Sequence, residues 1–295
     1  ACVEMAMWDI VGKAAGQPVY RLFGAKRDKV KAYASSFPQY PRWGAKDWAD
    51  WAEMCRKEGF RAVKVKQNDP DIEKDVENIQ AIRSAVGYEV DIMVDTWQAW
   101  TPSPYDLQKA IKLARRYEEY DVYWMEEPVP HLLNPNVSKA LCAAVDIPIA
   151  GGGQILGLHT FKVLLENDVL HIIQPAVEHA GGMLEVRNIA LMAESQGKWC
   201  CPHTFGPGLL LAANLQVLGP TNAPYVEVPF FPPAITHEVR DSVLAETIKL
   251  DADGYVQIPH KPGLGVEISE EAVERMAVGF SGSAEVLRLG GRAVD

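Results

Sequence analysis

The chain has 295 residues, 48% hydrophobic and 23% charged, with a formal net charge of −10 from 29 basic and 39 acidic side chains. That is enough ordinary soluble sequence for one or two domains with a large core. It lacks the basic runs and basic–aromatic interleaving of a nucleic-acid binder, and no apolar run is long enough to span a bilayer.

Five cysteines, Cys2, Cys55, Cys142, Cys200 and Cys201, are odd in number, scattered and without a CxxC pair. They read as free thiols of a reducing cytoplasm, and no signal peptide is expected. The chain opens at Ala1 already inside a helical pattern and reads as one that has lost a segment upstream. Val3, Met7, Ile10, Val11 and Ala14 share one face of that helix, and Gly16 and Pro18 stop it.

Strands are then expected at 30–35, 62–66, 91–95, 121–126, 148–150, 172–174, 198–201 and 225–228. Helices are expected between them at 47–57, 71–86, 104–117, 134–145, 158–166, 182–196 and 207–218. A hairpin signal follows at 250–255, and a short helix from Ser269. Strict alternation of strand and helix implies parallel strands with right-handed crossovers, and eight such units close into a (β/α)8 TIM-like barrel. The rival, a doubly wound sheet, wants a Gly-rich dinucleotide turn after the first strand, and SSFPQYPRWG is not one. The domain reading is a lead-in helix at 1–29, a barrel at 30–230 and a C-terminal extension at 231–295.

In a barrel, the side chains at the C-terminal strand ends converge on one cavity. The stretch 122–128, VYWMEEP, ends a buried strand in two adjacent carboxylates, which need a cation, a lysine or solvent. Lys64 and Lys66 end the second strand, Asp95 the third and Glu126 with Glu127 the fourth. His203 follows the seventh strand and Glu227 lies in the eighth. Singly, each has an ordinary reading as a solvated face, a cap or a structural residue. Together, at different strand ends, they point to a site that binds a cation and moves protons. His131, His159, His171 and His179 read as loop or surface residues.

The stretch 5–24, the KVK pair, the Asp closing IMVD, MEEP, the Gly turn, IIQPxxxHAGG and CPH together resemble the enolase superfamily, in particular the sugar-acid dehydratases of its mandelate racemase/muconate-lactonizing group. The resemblance covers nearly the whole chain. It implies Mg²⁺ held by Asp95 and Glu126, and abstraction by Lys66, supported by Lys64, of the proton α to a substrate carboxylate. It further implies His203 as acid on the opposite face, Glu227 at the substrate carboxylate and a small acid sugar as substrate, with a homo-oligomer as a common assembly. Racemisation or cycloisomerisation is the nearest alternative outcome, and a barrel that only binds its ligand is the alternative from another class.

Three departures from the family pattern stand out. Gly153 occupies the place of the third metal carboxylate, and Ala176 the place of the Asp that would orient His203. The N-terminal capping domain is expected to be missing. Restoring acids at 153 and 176 is expected to restore metal binding.

Overall fold

A computed structural model of the chain describes residues 1–37 and 43–278. Residues 38–42 of the stretch after the first strand, and 279–295 of the expected extension, lie outside the described residues.

Helices α1 (Cys2–Ala15) and α2 (Val19–Leu22) lead into eight parallel strands. These are β1 (Lys29–Ser35), β2 (Ala62–Lys66), β3 (Asp91–Asp95), β4 (Val122–Glu126), β5 (Ile149–Gly151), β6 (Ile172–Ile173), β7 (Trp199–Cys200) and β8 (Val226–Pro229). Between them run α3 (Ala45–Glu58), α4 (Ile72–Val86), α5 (Leu107–Glu118), α6 (Pro135–Ala144), α7 (Leu158–Glu166), α8 (Met183–Ser195) and α9 (Gly208–Leu218). The expected α/β barrel order is present: each strand lies beside its chain neighbour, and β8 returns beside β1. Among the described residues β7 and β8 share no ladder. Cys201 Sγ donates to the Tyr225 carbonyl at 3.3 Å, and Thr204 N to Glu227 Oε2 at 2.7 Å, across that seam.

Element ends follow the local chemistry. Asp71 accepts from Glu73 N and starts α4, which stops at Gly87. Asp106 accepts from Lys109 N at 2.8 Å, so α5 starts at Leu107 rather than at Pro104. The extension is less separate than its sequence suggests. After α10 (His237–Arg240), strand β9 (Tyr255–Gln257) pairs antiparallel with the first half of β1, and α11 (Glu270–Val278) follows. None of the described helices is long and apolar enough to cross a membrane.

The barrel interior obeys the two-residue period of a strand. Tyr33, Ala62, Met93, Trp124, Ala150, Ile172, Cys201 and Tyr225, one from each strand or its end, form a buried apolar cluster. Two residues further along each chain segment stand Ser35, Lys64, Asp95, Glu126, Gly152, Gln174, His203 and Glu227. The apolar layer is therefore the floor of a polar one.

The apolar stripe of α1 does not face this core. Val3, Met7 and Ile10 are 75%, 60% and 65% exposed, and Val11 is exposed too. The opposite face is drawn in by directional bonds. Glu4 accepts from Met183 N at 2.8 Å and Leu184 N at 3.0 Å, capping α8 from another helix, and Asp9 accepts from Leu264 N. Gly182, at φ +124, permits the cap, because a Cβ there would meet the Glu4 carboxylate. Trp8 packs edge-on against Phe23. Two N–H groups at a helix start matched to a carboxylate stabilise by about 1–2 kcal/mol. Glu4→Ala is expected to lower unfolding stability by that amount, read as a shift of the urea midpoint without a change in slope.

Candidate active site

All six residues expected at the site line one cavity of about 430 Å³ at the C-terminal strand ends: Lys64, Lys66, Asp95, Glu126, His203 and Glu227. The ladder sets Asp95 beside Glu126 and Lys66 beside Asp95. The two lysines differ sharply. Lys64 is 4% exposed, and its ammonium lies 2.9 Å from Glu126 Oε1 and 2.9 Å from Glu227 Oε1. Lys66 is nearer the mouth, 16% exposed, 3.1 Å from Asp95 Oδ2 and over the Trp97 ring.

The carboxylates are held as firmly. Glu126 Oε2 also accepts from Gln174 Nε2 at 2.8 Å and Trp124 Nε1 at 3.3 Å. Glu227 accepts from Ser35 Oγ and Thr204 N, each at 2.7 Å. Burial lowers the Lys64 pKa, but the charges of Glu126, Glu227 and Asp95 outweigh it and raise it. Burial likewise opposes the charge on Glu227, yet Lys64, His203 and the two hydrogen bonds hold it down to about 2. Glu126 is raised instead, by burial and by the like charges of Asp95 and Glu227, against the pull of Lys64.

Glu127, left unassigned by its sequence position, also lines the cavity. It sits at φ +53 and takes a 2.5 Å hydrogen bond from Trp100 Nε1. Burial, then Asp95 and Glu126, push its pKa up to about 8. Five carboxyls (Asp95, Glu126, Glu127, Glu178, Glu227) thus face two ammoniums around one cavity. That excess of hard, negative oxygen fits a hard divalent cation held by Asp95 and Glu126, since Mg²⁺ commonly takes one or two carboxylates and completes its shell with water and substrate. The end of β5 adds no carboxylate: Gly153 has no side chain, and its carbonyl bonds His179 Nδ1 at 3.1 Å. Among the described residues no group of three or more His, Cys, Asp or Glu is arranged to hold a metal. A cation here would compete with an ammonium for each carboxylate.

Gly153 has a second consequence. A Cβ at that position would lie 3.2 Å from His203 Cγ, so the imidazole rests against the space a side chain would use. Restoring Glu at 153 therefore requires His203 to move by a few tenths of an ångström. His203 Nδ1 is buried without a partner, as is Glu178 Oε2, and Ala176, two residues before Glu178, is fully buried. Burial lowers the His203 pKa.

The histidines read as loop or surface residues divide. His159 is exposed, and His171 is half-buried with Nδ1 accepting from Ile149 N. His179 is exposed at the cavity mouth. His131 lies in a loop as expected but is not at the surface: it is 1% exposed, packed beneath Gly151 and edge-on to Trp100. Only its surroundings reveal this, since loop positions carry no periodicity. Neither ring nitrogen of His131 has a well-formed hydrogen bond. Burial, partly offset by the Val129 carbonyl, takes its pKa down to about 4 from 6.5. An imidazole that binds its proton in the unfolded chain but not in the folded one contributes stability above pH 6.5 that is lost as pH falls toward 4. His131→Phe is expected to remove acid sensitivity on the order of 3 kcal/mol from that window, measured by urea unfolding at stepped pH.

Residues 47–272 match the family described as enolase C-terminal domain-like. The chain is 31% identical over 274 residues to an arabinonate dehydratase of Saccharolobus solfataricus, covering 92% of this chain and 70% of that protein. It is 33% identical to a D-galactarolactone cycloisomerase of Agrobacterium fabrum, with 92% of this chain and 71% of that protein covered. A crystal structure of the 3,6-anhydro-D-galactonate cycloisomerase of Zobellia galactanivorans superposes with a TM-score of 0.82 at 32% identity, over 92% of this chain and 73% of that one.

Proposed function

The chain belongs to the enolase C-terminal domain-like family, and on that premise we propose that its cavity binds a small acid sugar and removes the proton α to its carboxylate, with dehydration as the outcome. One observation carries this reading: a fixed ammonium, an accessible ammonium, two neighbouring carboxylates, an imidazole and a third carboxylate line one cavity above an apolar floor.

The roles follow from the geometry. Lys64 keeps its proton between Glu126 and Glu227 and serves as a fixed positive charge for the substrate carboxylate and the enolate that forms from it. Lys66, nearer the mouth, releases its own proton to solvent and then, as the neutral amine, receives the α-proton. The electron pair left on the α-carbon expels the β-hydroxyl, and a proton from His203 on the opposite wall lets it leave as water. The resulting enol takes up a proton on its β-carbon and gives up its hydroxyl proton, becoming a 2-keto acid. Glu227, held by Ser35, Thr204 and Lys64, orients the carboxylate end by fixing the Lys64 ammonium in place. Asp95 and Glu126 would hold Mg²⁺, which supplies charge neutralisation at the substrate carboxylate when bound.

Cycloisomerisation shares the first step and differs in the fate of the carbanion, and two of the similar proteins carry that activity in their names. A second reading, ligand binding without turnover, is favoured by Gly153 and Ala176, which withhold two carboxylates from the site. The free thiols suit a cytoplasmic setting for either reading.

A calorimetric Mg²⁺ titration tests the metal part: saturable binding is expected, and Asp95→Ala is expected to abolish it. With a panel of aldonic and aldaric acids, Lys66→Ala is expected to lower turnover at least about a thousandfold while leaving ligand affinity within a few-fold. Binding with no turnover by the unaltered chain would establish the second reading.

A further inference from the structure

Two polar atoms at the cavity wall are shielded from solvent without a partner: His203 Nδ1 and Glu178 Oε2. A buried ring nitrogen and a buried carboxylate oxygen left unpartnered in the wall of one cavity are each costly unless something satisfies them. We propose that Glu178 is the acidic partner of His203, orienting its imidazole from the β6–α8 loop in place of the carboxylate that Ala176 cannot supply. The inference rests on the proton chemistry proposed above and adds a positioning residue to it.

Three observations support the assignment. Both residues line the same cavity. Gly153 lets the His203 ring lie against bare backbone, where a Cβ would come within 3.2 Å of Cγ, so the ring lies closer to position 153 than a side chain there would allow. The loop carrying Glu178 is fastened next door by the bond between His179 Nδ1 and the Gly153 carbonyl, 3.1 Å long. Gly153, Ala176 and Glu178 then belong to one rearrangement: the first makes room for the ring, the second withholds the expected partner, and the third supplies another. Glu178 and His203 do not bond directly, so their pairing runs through a bridging hydroxyl, from water or from the sugar.

The charged groups acting on His203 are Glu227, Lys64, Glu178 and Asp95. Burial dominates and disfavours the imidazolium. Glu227, Glu178 and Asp95 favour it, and Lys64 opposes it. Of the three carboxylates, Asp95 and Glu227 are each paired with a lysine, whereas Glu178 Oε2 has no partner.

The test uses the full chain labelled with ¹⁵N-histidine, the His203 resonances being assigned by their loss in His203→Asn. It follows the titration and tautomer of that ring by NMR and needs neither metal nor turnover. A failure of the dehydration reading therefore leaves it undisturbed. Glu178→Gln is expected to weaken proton binding at His203 about three- to tenfold and to change its tautomer ratio. Adding Ala176→Asp to that variant is expected to restore both. An unchanged titration and tautomer ratio in folded Glu178→Gln overturns the proposal. Should that variant not fold, Glu178→Asp replaces it: a smaller shift in the same direction supports the pairing, and no shift overturns it.

Discussion

The ammonium of Lys64, buried between Glu126 and Glu227, is the interaction on which the cavity depends. It joins β2, β4 and β8 across the barrel axis, directly above the apolar floor set by Tyr33, Trp124 and their neighbours. Removing water from three charges is expensive, and only close geometry with every remaining lone pair occupied repays it. Gln174, Trp124, Ser35 and Thr204 provide that occupation. A lysine fixed in this way is a poor base, and the proposed chemistry therefore gives proton removal to Lys66, two residues on and nearer the mouth. One strand of five residues thereby carries a buried ammonium and a more accessible one on the same face.

Much of this was legible in the amino-acid sequence because a strand has a short, rigid period. In AVKVK the two lysines must share a face, and once a barrel is inferred that face must be the interior. The same period places Asp95, Glu126 and Glu227 without further information. What the period cannot say is which side of an isolated helix wins. In α1 the apolar stripe of Val3, Met7 and Ile10 is left in solvent, because Glu4 and Asp9 on the other side find backbone N–H groups to bind. Charged hydrogen bonds at defined points outweigh a diffuse apolar preference there. Loop residues escape for a different reason. His131, Glu178 and His179 have neither period nor motif to place them, and only the path of the chain shows that the first is buried and the others border the cavity. The extension was separable in sequence but not in space, since β9 borrows the first half of β1, the part that β8 leaves unpaired.

Position 153 shows how much can follow from a missing side chain. Its Cα surface supports the His203 ring, and its carbonyl fastens His179. Backbone here performs two tasks, and a side chain would disturb the first by pushing the ring away a few tenths of an ångström. A substitution at this position is consequently a change to the imidazole and to the β6–α8 loop as well as to the local charge.

The seam between β7 and β8 bears on how the barrel comes apart. A ring of ladders closed on itself has no end from which to unzip, whereas this one has two free edges fastened by a thiol and a single backbone N–H bond to Glu227. Fraying starts most cheaply at an edge, and β6 and β7, two residues each, are the shortest strands beside it. The first local opening of the barrel is therefore expected at the wall that carries His203, with the amide protons of 199–201, 203 and 204 exchanging before those of the longer strands.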